Sequence, residues 1–125
     1  MNKKILCVDD DLNVLLSYQR TLRKEFNVYL AEGGEQGMEM GTHEGPFAVI
    51  ISDMRMPRMD GLAFLTRARK AAPDSTRIVL TGNADQDMAI KAVNEGHIFR
   101  FLTKPCPPET LRQTLQAGME QYRLL

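Results

Sequence analysis

An excess of charge of one sign is missing from this chain: sixteen Lys and Arg balance sixteen Asp and Glu. No bulk field steers it towards nucleic acid or an anionic membrane, so no direct nucleic-acid or membrane partner is expected. Cysteine is scarce. Cys7 and Cys106 are the only two, they lack metal-ligand spacing, and they fit a reducing compartment better than a disulfide framework. Cys7 falls inside an apolar run and reads as a small hydrophobe. The two histidines, His43 and His97, lie beside glycines at helix ends, which leaves no Ser-His-Asp or Cys-His arrangement to assemble. A dinucleotide-binding fold would carry glycines where Val8-Asp9-Asp10-Asp11 stands. Met1-Asn2-Lys3-Lys4 leads through a short apolar run into three aspartates, so it reads as a strand start, not a signal peptide or membrane span, and a cytoplasmic location is expected. Linkers, repeats and low-complexity tracts are also lacking.

What is present suits one compact domain over residues 1–125: the chain is 43% hydrophobic and 26% charged, long enough for a core and too short for two. Apolar runs at Ile5–Val8, Phe47–Ser52, Ile78–Leu80 and Phe99–Thr103 alternate with helix-like stretches, the pattern of a parallel sheet with crossover helices. Asn27 to Glu32 reads as a further strand, second in order, turned by Gly33-Gly34. The first helix runs from about Leu12 to Lys24, with Leu12, Leu15, Leu16, Leu22 and then Phe26 near helical spacing. The second occupies about Glu35 to Thr42 and is broken by Gly45-Pro46. A third starts at Met59-Asp60-Gly61, carries Leu62, Leu65 and Ala68, and stops at Pro73. Asp85 opens the fourth, with Met88, Ala89, Ala92 and Val93 expected inward and Gly96 ending it. The fifth begins at Pro107-Pro108 and continues through Leu111, Leu115, Met119 and Tyr122.

Asp9, Asp10, Asp53, Thr81 and Lys104 each end one of these apolar runs. In a parallel sheet all carboxyl ends face one edge, where open α/β sheets bind ligands. Asp9 and Asp10 are adjacent at a strand end, and Asp53 ends the neighbouring strand. Three nearby anions repel unless a cation sits among them, and an all-oxygen donor set favours Mg²⁺ over zinc or a soft metal. Lys104 adds an ammonium. With a hard cation and an ammonium flanking one carboxylate, that carboxylate is placed to attack phosphorus, and Thr81 is a hydroxyl donor to the product. Acidic residues after a strand also cap the next helix, a role open to Asp10 or Asp11. The conjunction of all five groups in one αβ order is the stronger signal. Met54, Met56 and Met59 flank the site.

Val8-Asp9-Asp10, the Asp53-Met54-Arg55-Met56-Pro57-Arg58-Met59-Asp60-Gly61 loop, Leu80-Thr81-Gly82 and Leu102-Thr103-Lys104-Pro105 resemble the four signatures of the receiver (CheY-like) domain of bacterial two-component response regulators. The resemblance spans nearly the whole chain. It implies a flavodoxin-like doubly wound α/β fold, five parallel strands in the order 2-1-3-4-5 with five helices, and a cis peptide before Pro105. It implies that Asp53 accepts a phosphoryl group from a sensor histidine kinase or a histidine phosphotransfer protein. Mg²⁺ would be held by Asp10, Asp53 and the Arg55 backbone carbonyl, with Asp9 helping through water. Thr81 and Lys104 would grip the phosphoryl oxygens. Thr81 and Phe101 would form a switch pair that moves the face of the fourth helix, fifth strand and fifth helix, which also suits a phosphorylation-dependent homodimer. Such a domain is a phosphoacceptor and not a turnover enzyme.

Arg55 and Asn83, each two residues beyond Asp53 and Thr81, are candidates for setting phosphoryl lifetime by bordering the approach of water; the alternative is that both are solvated loop residues. The stretch from Asn94 to Cys106 most resembles receivers fused to HD-type cyclic-dinucleotide phosphodiesterase domains. Apolar residues through Leu124-Leu125, with no polar stop, suggest a helix leading into such an output domain, a kinase or diguanylate cyclase being the alternatives. Two competing readings are a degenerate receiver-like module working without phosphorylation and a Mg²⁺-dependent aspartyl phosphatase. A haloacid-dehalogenase-like phosphatase would resemble Asp-x-Asp at its nucleophile, whereas Met54-Arg55 follow Asp53.

Overall fold

A computed structural model describes Met1 through Leu125. Its elements alternate as β1 (Lys4–Val8), α1 (Leu12–Leu22), β2 (Asn27–Ala31), α2 (Gly34–Glu44), β3 (Val49–Asp53), α3 (Gly61–Ala71), β4 (Thr76–Thr81), α4 (Gln86–Asn94), β5 (Arg100–Thr103) and α5 (Pro108–Arg123). All neighbouring strands pair in parallel, in the order β2-β1-β3-β4-β5. This is the flavodoxin-like doubly wound sheet, with helices on both faces.

The period-2 alternation of strand side chains divides the core in two. Leu6, Val8, Ile50 and Val79 pack with Phe64, Leu65 and Ala89 on the face covered by α2, α3 and α4. Ile5, Cys7, Val49, Ile51, Ile78 and Leu80 pack with Leu15, Leu22, Leu111 and Leu115 under α1 and α5. Full burial of a side chain such as Leu115 contributes about 1.5–3 kcal/mol. Both cysteines are free, and burial pushes the Cys7 thiol up to about 12, so it behaves as an inert core residue. No helix is long and apolar enough to cross a membrane.

Several helix expectations shift. Met88 does not face inward: its side chain is exposed, as are Leu12 and Leu16 of α1. Helical spacing places these residues near the apolar stripe, but the sheet is narrow at each helix and only the central row, Ala89 and Ala92 or Leu15 and Leu22, reaches it. Asp85 ends a 3₁₀ turn over Asn83–Asp85, and α4 proper starts one residue later. Phe47 is buried but precedes the third strand, which is paired from Val49. The Lys104–Pro105 peptide is cis; so is Gly45–Pro46, which the sequence did not suggest.

Glycine permits close approach at two points where a helix meets the central strands. At Gly118 of α5, a Cβ would stand 3.1 Å from Val49, and Thr76 Oγ1 donates to the Gly118 carbonyl at 2.9 Å, so the helix backbone rests on the sheet. Gly61 matters more. Its N–H donates to the Met54 carbonyl at 2.8 Å, and a Cβ there would fall 2.1 Å from the Asp53 carbonyl oxygen. The start of α3 is therefore clamped against the end of β3. Gly61→Ala should destabilise the domain by about 2 kcal/mol, the scale of an overpacked core site, measurable as a lowered urea midpoint with unchanged slope. An unchanged midpoint would mean that the loop yields freely.

Candidate functional site

Register and alternation deliver the site. Val8 pairs with Ser52, so one residue further along Asp9 and Asp53 stand side by side, continuing the Cys7 and Ile51 face. Leu102 lies on that face of β5 opposite Leu80, and two residues on Lys104 reaches across to form an ion pair with Asp53 Oδ1. Thr81 and Phe101 lie on the other face: Phe101 pairs with Val79 and packs among the residues under α4, and Thr81 is the next residue of that face on β4. The acidic cluster with Lys104 and the pair Thr81 and Phe101 thus occupy opposite sides of one sheet edge.

Carboxylate oxygens of Asp9, Asp10 and Asp53 all lie within 4.8 Å of one another. Asp9 and Asp53 are buried and Asp10 is exposed. At that separation two like charges repel by about 3 kcal/mol at an effective dielectric near 20, a large share of a small domain's stability. Lys104 neutralises Asp53 only. Asp9 keeps one oxygen, Oδ1, bonded to the Asp11 N–H at 2.9 Å, whereas its Oδ2 is buried without any hydrogen-bond partner. Burial chiefly, and then the Asp53 charge, raise the Asp9 carboxyl from 3.8 to about 6, against the Asp11 N–H, which lowers it. An orphaned buried carboxylate oxygen inside an all-oxygen cluster fits a hard divalent cation. The adjacent capping role belongs to Asp11, whose side chain accepts from the Asn13 N–H at 2.9 Å.

Thr81 is fully buried, and its hydroxyl donates to the Gly82 carbonyl at 3.0 Å. Arg55, in the loop after β3, forms a bidentate pair with Asp85, 2.7 Å from Nε to Oδ2 and 3.1 Å from Nη2 to Oδ1. That partnership holds the Arg55 guanidinium above its ordinary range. Sequence reasoning missed it, because Asp85 is thirty residues away and reads as a helix start. Asn83 is exposed and accepts from Gln86 Nε2 at 3.3 Å. His43 and His97 are exposed and distant from the site's hydrogen-bond network.

With this geometry the chain matches the family model described as the response regulator receiver domain over residues 5–116, and it belongs to that family. Receivers act in two-component signalling as phosphoacceptors, not as turnover enzymes. The chain is 33% identical over 120 residues to the hydrogenase transcriptional regulatory protein HoxA of Bradyrhizobium diazoefficiens, covering 96% of itself and 24% of that protein. It spans about a quarter of the length of such curated relatives. Among solved structures it resembles adenylate cyclase from Rhodopirellula baltica, with TM-score 0.97 and 42% identity over 99% of this chain and 92% of that one. It also resembles the signal receiver domain of an HD domain-containing protein from Pseudomonas fluorescens Pf-5, with TM-score 0.90 and 30% identity over the whole of both chains.

The raised Asp9 carboxyl gives a pH dependence of definite sign. Because the folded state holds this proton more tightly than the unfolded chain, Asp9 favours folding fully below pH 3.8 and loses that contribution as pH rises through about 6. In chelator, Asp9→Asn should therefore stabilise the protein by about 2 kcal/mol at pH 8 and leave it unchanged near pH 4. Mg²⁺ should raise the melting temperature of the parent more than that of the variant. A variant melting below the parent in chelator at pH 8 would contradict the assignment. The exposed Asp10, which reads in the sequence as an equal member of the cluster, should show the smaller effect on metal-free stability.

Proposed function

We propose that residues 1–125 form one receiver unit in which Asp53 takes a phosphoryl group from the phosphohistidine of a sensor kinase or histidine phosphotransfer protein. The observation that carries this reading is the Asp53–Lys104 ion pair set beside the orphaned Asp9 oxygen: one carboxylate has a counter-charge, and the space next to it demands another. Asp10, Asp53 and the Arg55 carbonyl would hold Mg²⁺, with Asp9 acting through water. When bound, the ion neutralises charge on the transferring phosphoryl oxygens. Asp53 supplies the attacking oxygen. An O–P bond forms, the N–P bond of the donor breaks, and the imidazole leaves with the electron pair and takes up a proton. Lys104 then bridges from the carboxylate to the new phosphoryl oxygens, and Thr81 turns its hydroxyl from the Gly82 carbonyl towards them.

Movement of Thr81 opens space on the α4 side of β4, which the half-buried Phe101 fills by rotating inward. Because Phe101 lies on β5 and Thr81 precedes α4, the α4-β5-α5 surface is repositioned by contact. That surface is our choice for signal output and for a phosphorylation-dependent homodimer. Phenylalanine lacks a hydroxyl at this position, so a partner reading that group is not expected. For the output, an HD-type phosphodiesterase domain is supported by the likeness to the Pseudomonas receiver. A nucleotide cyclase is the second reading, favoured by the 42% identity to the Rhodopirellula chain. The greater length of the curated relatives supports an output domain of some kind. A cytoplasmic location follows from a partner of this class.

Incubation with acetyl phosphate and Mg²⁺ followed by intact-mass measurement should show one added phosphoryl group, absent from Asp53→Asn; stoichiometric labelling of that variant would overturn the site. Arg55→Ala and Asn83→Ala should each change the rate of phosphate release several-fold, on the reading that their positions two residues beyond Asp53 and Thr81 bring both side chains to the approach of water. Two unchanged rates would make them bystanders.

A further inference from the structure

Asp85 occupies the N-cap position of α4 without capping it: no amide of the helix donates to its side chain. Aspartate is among the best N-cap residues because its carboxylate accepts from the first-turn N–H groups, so a competing donor must hold it. That donor is Arg55, through both carboxylate oxygens. Asp60 borders the same cleft, but it already caps α3 by accepting from the Ala63 N–H at 2.8 Å, which leaves Asp85 as the carboxylate available to the guanidinium.

The two partners are unequally fixed. The Asp85 side chain is 12% exposed and the Arg55 side chain 76%, and the cleft beside them has a volume of about 420 Å³. Asp85 is anchored by the 3₁₀ turn, with its N–H on the Gly82 carbonyl at 3.2 Å. Arg55 is the solvent-exposed and less confined member, tethered two residues from Asp53. A guanidinium fork binds carboxylate and phosphoryl groups in the same bidentate manner, and a phosphoryl group offers more charge and more acceptor oxygens. A nearly buried carboxylate deserted by its only charged partner requires a new donor, and the α4 amides are adjacent.

We propose that Asp85 is a positioning residue for Arg55: it holds the guanidinium on the α4 side of the β3–α3 loop in the unphosphorylated chain, yields it to the phosphoryl group on Asp53, and then caps α4. This rests on the phosphoacceptor reading above. It makes Arg55 a shared ligand of two anions, so the strength of the Asp85 contact sets how often the guanidinium shields the phosphoryl group from water. It also gives the β4–α4 segment a second route of control, separate from the Thr81–Phe101 pair.

The test compares phosphoryl loss after acetyl phosphate labelling in the parent, Asp85→Asn, Asp85→Glu, Arg55→Ala and the Asp85→Asn/Arg55→Ala double variant. Asparagine retains capping ability and loses the charge. Asp85→Asn should slow phosphoryl loss several-fold, Asp85→Glu should restore a rate near the parent's, and Asp85→Asn should have no effect in the Arg55→Ala background. Amide exchange at residues 87–89 should be slowed in unlabelled Asp85→Asn, and in the parent only after labelling. An equal rate effect in both Arg55 backgrounds, an unchanged rate in Asp85→Asn, or exchange at 87–89 that ignores both substitution and labelling would overturn the proposal. If the parent itself takes no label, the phosphoacceptor reading fails and this inference fails with it; normal labelling with additive substitutions removes only the inference.

Discussion

Asp9, Asp10 and Asp53 repel one another at a sheet edge where two of the three are withdrawn from water, and much of the domain's construction follows from containing that repulsion. Lys104 is brought in by β5 to pair with Asp53. Asp9 is left with a raised carboxyl and an oxygen that nothing in the chain satisfies. A packed fold tolerates such a group at a cost that ligand binding offsets. The parallel sheet makes this concentration unavoidable, since register alone sets the residue after Val8 beside the residue after Ser52.

The same sheet separates two tasks. Side chains alternate across it, so residues that bear charge chemistry project towards α1 and α5 while Thr81 and Phe101 belong to the side of α3 and α4. The Gly61 clamp ties α3 to the backbone of Asp53 itself, and Arg55 ties the loop between them to the start of α4. Asp53 is therefore adjacent to two separate links, the Gly61 clamp to α3 and the Arg55–Asp85 pair at the start of α4.

Most of this was legible in the sequence, for reasons that differ by element. β1, β3 and β4 are built on the apolar runs Ile5–Val8, Val49–Ile51 and Ile78–Leu80, buried on both faces, and Asp9, Asp53 and Thr81 stand at their carboxyl ends. The strand order and the receiver family came from the conjunction of Val8-Asp9-Asp10, Asp53, Thr81 and Lys104 with its spacing, not from any one of them. Burial within a helix was less legible. Met88, Leu12 and Leu16 fit a helical stripe as well as Ala89 and Leu15 do, and only the distance to the sheet decides between them. The unequal burial of Asp9 and Asp10 follows from strand pleat at a terminus, which adjacency in sequence does not reveal. Arg55 with Asp85 was hidden altogether, because a contact between two loops has no periodicity.

Lys104 is the built-in counter-charge of an acidic cluster whose all-oxygen donor set fits a divalent cation. Calorimetric titration of Mg²⁺ into the parent and into Lys104→Ala tests this role most directly. Removing the ammonium leaves Asp53 uncompensated, so Mg²⁺ should bind several-fold more tightly to the variant, with the difference shrinking as salt is raised. Equal or weaker binding in Lys104→Ala would contradict it.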